Sequence, residues 1–481
     1  MAYRYAVLGA GMQGTAAAFD MARFGDAESV LILDSDLAVA RKAADRVNQL
    51  SGGSLARADL LDVRDAGDIE LKLLGIHATL SAVPYFFNPS IAAACVQARS
   101  SLCDLGGNTE VTRRVLKLDA EARAAGIAIV PDCGLAPGLG NTLAVYGMQR
   151  LDETTSVRIR CGGLPQDPKP PLYYKILFNV GGLTNEYFGD AEILRDGKLV
   201  KIRTFTELED IEFDAPVGRC EAFVTSGGTS TCPRTLEGKI QNYDYKTVRY
   251  RGHYERFKVM HDLGLLDLQP IDIHGQKVIP REVFHAVVAP RLAFPGDRDL
   301  VVLRVVVEGR HEGHPMKIVL EVMDFEDEKT GFTAMQRTTG FSAAIVAIMM
   351  AQGEVAPGAV PLETAVDGAR FVELFRQRGI HFTESVQRTV SGSCAGERFS
   401  DLALMRRAAG DALMAMSIGV STHDLSNLTV CPLAGPCRVA SGAMDGAPAD
   451  PRVGNHRHAL RGPSGRSGRS ERRRIPRFLG R

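Results

Sequence analysis

Among the nine cysteines, at 95, 103, 133, 161, 220, 232, 394, 431 and 437, there is no CxxC pair, and the count is odd. That excludes the spacing of a zinc site and any readable disulfide framework, so reduced thiols and no bound metal are expected. No uninterrupted apolar run reaches transmembrane length. The N-terminus opens directly into a strand, without a basic stretch followed by an apolar one. A cytoplasmic protein with no membrane partner is expected. Net charge is also missing: 57 Lys and Arg balance 57 Asp and Glu. The balance is uneven along the chain. Residues 386–481 carry 15 Arg, no Lys and 7 acids, leaving 42 bases and 50 acids in 1–385. An acidic body gives no reason to expect a nucleic-acid partner.

What is present is length and rhythm. The 481 residues are too many for one ordinary core, so two domains plus extra material are expected. Short apolar strands alternate with helical stretches throughout 1–135. Residues 3–8, 30–33, 77–83, 101–105 and 128–130 read as strands, and 15–24, 36–50, 88–99 and 109–125 as helices. That alternation predicts an α/β fold, a Rossmann doubly wound parallel sheet. From about 150 the period changes to two. The runs 300–307 and 317–323, separated by a Gly-containing turn, predict a hairpin. A second α+β domain of largely antiparallel sheet is therefore expected over 136–340. The apolar helix 341–352 would return to complete the first domain through 341–385. Residues 386–481 read as an atypical, Arg-rich and largely disordered tail, with one possible helix from Leu402 to Ser417.

The segment Gly9-Ala10-Gly11-Met12-Gln13-Gly14 follows the first strand and opens the first helix. Gly9 would make the tight turn, Gly11 would let a pyrophosphate approach the backbone, and Gly14 would let helix and strand pack closely. The helix N-terminus, from Met12 and Gln13, would offer free N–H groups to phosphate. Asp34 lies twenty residues after Gly14, at the end of the second strand. Its carboxylate would accept from both ribose hydroxyls and repel a 2′-phosphate, with Asp36 beside it and no Arg following. NAD is therefore expected rather than NADP. Asp59 is placed near an adenine pocket, and Val83-Pro84 near the nicotinamide ribose. Asp59 reads equally well as a solvated acid.

Three collinear segments resemble the saccharopine dehydrogenase family: Ser81–Asn88 (SAVPYFFN), Cys103–Asn108 (CDLGGN) and Pro131–Gly138 (PDCGLAPG). Within it, GGLPQ at 162–166, TSGGTS at 225–230, DYKTVRY at 244–250 and TGFTAMQRTTGF at 330–341 are similar to the lysine 6-dehydrogenase branch. The resemblance covers about 1–385. It implies NAD-dependent oxidative deamination of the ε-amine of L-lysine, giving a semialdehyde that cyclises, with release of ammonia. Reductive synthases of the carboxynorspermidine and saccharopine type are relatives, and a catalytically silent dinucleotide-binding protein is a third reading. Two positions depart from the family: Arg251 replaces a proline and Cys232 a leucine-like residue. Arg251 would loosen the turn before His253.

Such a reaction needs a cation for the substrate carboxylate, a carboxylate for its α-ammonium, and a base for its amine. Asp104 and Asp132 follow strands at their C-terminal ends, where open α/β sheets bind ligands. Asp132 is expected to orient the amine or a water, or else to cap the turn into Gly134. Arg249 is expected to take the substrate carboxylate and Lys246 to act as general base. In a strand those two would face opposite sides. His253 is expected to relay a proton, Glu221 to hold the ammonium, and Asp104 to bind substrate. The expected partners are an amino acid or diamine substrate and a second copy of the chain.

Overall fold

The computed structural model describes residues 1–388. The tail helix expected at 402–417 and the Arg-rich terminus lie outside the described residues. The first lobe is a seven-stranded parallel sheet. Its strands in chain order are β1 (Tyr3–Leu8), β2 (Ala27–Asp34), β3 (Ala56–Leu60), β4 (Ala78–Ser81), β5 (Ser101–Asp104) and β6 (Ala128–Val130). They stand in the order β6-β5-β4-β1-β2-β3. The chain therefore builds outward from β1 in one direction, then restarts at β4 and builds in the other. The crevice at that reversal, beyond the C-terminal ends of β1 and β4, is where such sheets take ligands.

Helices α1 (Met12–Phe24), α2 (Leu37–Ser51), α3 (Ala66–Lys72) and α4 (Asn88–Ala98) cover the sheet faces. The single helix predicted over 109–125 is two, α5 (Thr109–Leu116) and α6 (Asp119–Ala125). Asp36, Asp65 and Asn108 cap α2, α3 and α5 with side-chain oxygens, which satisfies amides the helices leave open.

The helix α7 (Leu139–Met148) leads to the second lobe. Gly147 lets it lie on the sheet, since a Cβ there would stand 2.6 Å from Val307 Cγ2. The second sheet is mixed and mainly antiparallel, as the period-two runs predict. Its strands are β7 (Glu153–Pro165), β8 (Asp190–Arg195), β9 (Lys198–Arg203), β10 (Glu209–Phe213), β11 (Gly218–Val224) and β12 (Asn242–Tyr250). A small separate hairpin, β13 (Ile271–Ile273) with β14 (Gln276–Val278), precedes the long hairpin β15 (Asp299–His311) and β16 (His314–Phe325). Glu312 and Gly313 both have positive φ in the two-residue turn of that hairpin, which matches the twist of its strands. One pair, β12 with β7, is parallel. The helix α8 (Val180–Glu186) stands just before β8.

The chain then returns to the first lobe. A π-helical turn, Arg337–Phe341, runs into the helix Ser342–Ala351, which is apolar at every position after Ser342. Gly340 packs on α1, where a Cβ would meet Gln13 O at 2.9 Å, and Cys103 Sγ donates to Ala343 O. The two-residue strand β17 (Gly358–Ala359) then adds itself in parallel to β6 as the seventh strand. Farther on, Arg378 forms a fully buried two-pronged ion pair with Asp20 of α1, at 2.9 and 3.0 Å. Breaking it would strand a charge in the core. The strand β18 (His381–Arg388) ends the described chain on β16.

Candidate active site

The Gly9–Gly14 loop has the geometry its glycines predict. Gly9 has φ +96°, and a Cβ there would stand 2.8 Å from Ala82 O on the far side of the switch. Gly14 can be nothing larger, because its Cβ would lie 1.8 Å from Gly9 O. A Cβ added at Gly11 would meet no other part of the protein within 4 Å, so the backbone there is open to close approach. No side chain caps α1, which leaves its first-turn amides to an anion. Asp34 Oδ2 accepts from Ala10 N at 2.8 Å and Oδ1 from Asp36 N at 3.0 Å, which fixes the carboxylate at the edge of the loop. Val83 touches the same loop, and Pro84 starts a short 3₁₀ turn, Tyr85–Phe87. A phosphate over Gly11 and a ribose at Asp34 fit this cradle. Met12 is half exposed, whereas Gln13 packs toward Met335 with its Oε1 buried and unpartnered. Asp59 stands at the C-terminal end of β3, opposite Leu33 and one residue from the register of Asp34, and its carboxylate is paired at 2.5 Å with Lys72 of α3.

Asp104 and Asp132 come together, but they serve the loops that bound the crevice and do not reach its surface. Asp104 Oδ1 accepts from Gly106 N at 2.7 Å and from Asp132 N at 3.0 Å. Asp132, in the left-handed region at φ +64°, accepts from Thr112 Oγ1 at 3.0 Å and from Ser230 Oγ. Asp132 is 2% exposed. It thus ties the TSGGTS loop of the second lobe to the first. Burial and then the charge of Asp104 push its carboxyl up to about 7, and burial raises Asp104 as well.

The folded protein therefore holds the Asp132 proton more tightly than the unfolded chain, where an Asp titrates near ~3.9. That contribution is full in acid and is lost as pH rises from ~4 through ~7. Asp132→Asn keeps an acceptor for Thr112 and Ser230. It is expected to flatten the decline of Tm across that window in melts at graded pH. An unchanged slope would place the titration on another group.

The strand β12 separates the two basic residues of the DYKTVRY segment. Tyr243, Tyr245, Thr247 and Arg249 lie on one face; Asp244, Lys246 and Val248 lie on the other. Lys246 is buried on that other face, where Nζ donates to Glu209 Oε2 at 2.7 Å and to Glu207 O at 2.8 Å. It shares Glu209 with Arg160, which also bonds Asp244. The general-base assignment for Lys246 is therefore corrected to a structural ion-pair cluster on the far side of the sheet.

Arg249 is 3% exposed and has no carboxylate within 4.0 Å among the described residues. Its Nε donates to Tyr187 Oη at 2.8 Å and its Nη1 to Val248 O at 2.9 Å. Its guanidinium lies over the rings of Tyr174 and Tyr187, with centroids at 4.8 and 5.7 Å. Such rings stabilise a cation without neutralising it. A guanidinium has five donors, so this one keeps several for a ligand.

His253 stands behind that cage. Its Nδ1 is 2.9 Å from Leu172 O, and its Nε2 is 3.0 Å from Tyr187 Oη. A carbonyl can only accept, so Nδ1 carries the hydrogen, Nε2 accepts from the Tyr187 hydroxyl, and the Tyr187 oxygen is left for Arg249. Burial, then the charge of Arg249, lowers His253 to about 3. It is a neutral brace for Tyr187, which corrects the proton-relay role. The turn before it is kept by Gly252, at φ +87°, while the side chain of Arg251 reaches out to Asp210 at 2.8 Å. Glu221 is also reassigned. It accepts from Tyr254 N at 2.5 Å and Gly252 N at 3.1 Å, capping the helix His253–Asp262.

The carboxylate nearest in function to Arg249 is one that the sequence did not single out, Glu186 at the end of α8. It is partly exposed. Burial pushes it up to about 7, and Arg249 alone pulls it back. Its neighbourhood is fixed from both lobes. Asn185 Nδ2 donates to Gly107 O at 3.3 Å, and Ser226 N donates to Glu186 O at 2.8 Å. The TSGGTS loop is not a plain hairpin turn. It lies flat on Tyr245, where a Cβ on Gly228 would stand 2.3 Å from the ring, and Thr225 bonds Thr247 at 2.7 Å.

Among the described residues no group of three or more His, Cys, Asp or Glu is placed to hold a metal ion, and no helix is long and apolar enough to cross a membrane. A parallel sheet with a dinucleotide cradle at its switch point, joined to a mixed sheet carrying a caged arginine, defines a two-lobed oxidoreductase fold. The chain belongs to the saccharopine dehydrogenase family. The profile of the family's NADP binding domain matches residues 5–130 and that of its C-terminal domain residues 134–380. Saccharopine dehydrogenase [NADP(+), L-glutamate-forming] from Saccharomyces cerevisiae is 24% identical over 252 residues, 48% of this chain and 53% of that one. Mitochondrial alpha-aminoadipic semialdehyde synthase from Bos taurus is 22% identical over 392 residues, covering 66% and 42%. Carboxynorspermidine synthase from Vibrio alginolyticus is 23% identical over 326 residues, covering 63% and 75%. The chain spans about half the length of the first of these relatives, 53% and 42%. The apo, histidine-tagged saccharopine dehydrogenase (L-Glu forming) structure from Saccharomyces cerevisiae shares the fold, with a TM-score of 0.64 at 20% identity. It covers 80% of this chain and all of that one.

Proposed function

We propose that the protein is an NAD-dependent dehydrogenase that oxidatively deaminates the ε-amine of L-lysine. The observation that carries this reading is Arg249, a buried guanidinium without a carboxylate partner among the described residues. Keeping such a charge desolvated is costly unless a ligand completes it, and an α-carboxylate matches its remaining donors. The Gly9–Gly14 loop and the α1 N-terminus would hold a dinucleotide pyrophosphate, with its adenosine ribose at Asp34. A bound nicotinamide supplies the hydride acceptor. The protein contributes placement and electrostatics: Arg249 fixes one end of the substrate, Tyr187 and His253 fix Arg249, and the TSGGTS loop closes the side of the crevice. The reading extends to a homodimer in the cytoplasm.

The NAD preference rests on Asp34. A carboxylate bonded to the loop amides and followed by Asp36 opposes a 2′-phosphate. The names of the relatives favour a second reading, an NADPH-dependent synthase joining an aldehyde to an amine. NADH formation from L-lysine and NAD, beside lysine with NADP and aldehyde with amine and NADPH, separates the two. Rapid turnover of lysine with NAD is expected. Asp34→Ala is expected to lower affinity for NAD at least ~10-fold, the worth of one charged hydrogen bond. Turnover only in the reductive direction with NADPH would overturn the lysine reading.

A further inference from the structure

We propose that Arg281 is a second anion anchor of the site, holding a carboxylate other than the one assigned to Arg249. It is the second residue of the helix Pro280–Val288 and is 7% exposed. Its Nε donates to Leu266 O at 2.7 Å. Neither terminal nitrogen has a hydrogen-bond partner among the described residues, and Nη2 is buried. Among those residues no carboxylate comes within 4.0 Å of it. Its guanidinium lies over the ring of Phe188, 4.6 Å from the centroid, which stabilises the cation without neutralising it. Burying a cation with two idle nitrogens is costly unless a ligand completes it.

The contacts of Arg281 itself place it beside the crevice. Arg281 and His285 are four apart and share one face of their helix. That face lies along α8: His285 Nε2 is 2.9 Å from Thr184 Oγ1, and Arg281 meets Phe188, four residues farther on. Arg281 therefore stands just past the end of α8, next to the turn whose Asn185 bonds Gly107 O of the first lobe. Burial lowers the pKa of Arg281, and Asp267 and Tyr85 are the groups that oppose this. Tyr85 packs on Gly107 in the turn after β4, at the switch point. The chain also joins the two arginines: Tyr187 bonds Arg249, and the next residue, Phe188, carries Arg281. A ligand fixed at Arg249 and running toward the switch point meets Arg281 at its far end.

A carboxylate is the ligand that fits. The two free nitrogens of a planar guanidinium match its two oxygens, and one cation balances one negative charge. A doubly charged phosphate is better served by the open helix N-terminus of the first lobe. The carboxylate has two possible sources: the substrate itself, beyond its reacting nitrogen, or a separate small acid bound beside the substrate. The inference goes beyond the lysine reading, because L-lysine places its one carboxylate on Arg249 and leaves Arg281 unused.

The test is calorimetric titration of the full chain with NADH bound, for wild type, Arg281→Gln and Arg281→Lys. The probes are L-lysine, Nε-carboxymethyl-L-lysine, which adds one carboxylate beside the reacting nitrogen, and acetate, titrated with and without lysine present. NADH fluorescence and melting curves check cofactor binding and folding. If the carboxylate is the substrate's own, wild type is expected to bind carboxymethyl-lysine at least ~10-fold more tightly than lysine, the worth of one charged hydrogen bond. Arg281→Gln should then bring the two affinities together. If the carboxylate is a separate ligand, acetate should give a saturable heat in wild type that Arg281→Gln abolishes. Arg281→Lys keeps the charge without the fork; it should weaken either response, and it decides the matter where the Gln variant fails to fold. Absence of both responses in wild type, or survival of the response in Arg281→Gln, overturns the proposal. So does a variant whose only loss is affinity for NADH. If lysine fails to bind wild type, the lysine reading falls, and acetate titrated without lysine still decides the role of Arg281.

Discussion

Replacing Arg249 with alanine is expected to lower kcat/KM for the amino-acid substrate by roughly 10²–10³-fold, the cost of removing one partner from a buried charge pair. Affinity for the dinucleotide should not change. Among the described residues Arg249 commits only Nε and one hydrogen of Nη1 to the protein, which leaves donors enough to grip a carboxylate with two bonds. Lysine at this position would supply the charge without the fork and would lose its purchase on Tyr187, so Arg249→Lys should recover little. The measurement is steady-state NADH production alongside NADH binding by fluorescence. An Arg249→Ala protein with unchanged KM and kcat would remove the substrate anchor from this site altogether.

The second large effect is expected at the cofactor loop, where two glycines separate folding from binding. Alanine at Gly14 would place a methyl 1.8 Å from Gly9 O, a backbone atom with no freedom to move aside. The helix would have to back away from β1. A loss of roughly 3 kcal/mol or more and failure to retain dinucleotide are expected. Gly11 has φ −68° and meets nothing within 4 Å, so alanine there should leave the melting temperature in place. Its methyl would still stand where the pyrophosphate must approach, and dinucleotide affinity should fall by at least ~10-fold. Differential melting with and without NAD checks both variants. Tight binding by Gly11→Ala would move the phosphate site off this loop.

The first lobe was legible because each of its signals is local: strand, glycine turn, helix and acid follow one another within thirty-odd residues. The active site was only partly legible, because its parts are brought together by register. DYKTVRY names Lys246 and Arg249 three positions apart, and the two-residue repeat of a strand sends them to opposite faces. His253 looks like an acid–base group in the sequence, but burial and the charge of Arg249 hold it neutral well below the ordinary imidazole range. Glu221 and Asp132 have the right chemistry, yet nearby amides and hydroxyls claim their oxygens first. Glu186 carries no motif at all. It stands at the end of α8 between Asn185, which bonds Gly107, and Tyr187, which bonds Arg249, and composition and periodicity do not encode that placement.

The return of the chain from the second lobe also bears on how the protein is made. A ribosome releasing this polypeptide delivers β1 to β6 early, but the apolar helix Ser342–Ala351 that covers β4 and β5, and the strand Gly358–Ala359 that closes the β6 edge, arrive more than two hundred residues later. Until then the nascent first lobe displays an uncovered apolar face and an open strand edge, both of which favour wrong association. Asp20 waits longer still for Arg378. The two lobes are therefore one folding unit in time as well as in space, and the nucleotide cradle gains its final support only when synthesis of the described chain is nearly finished.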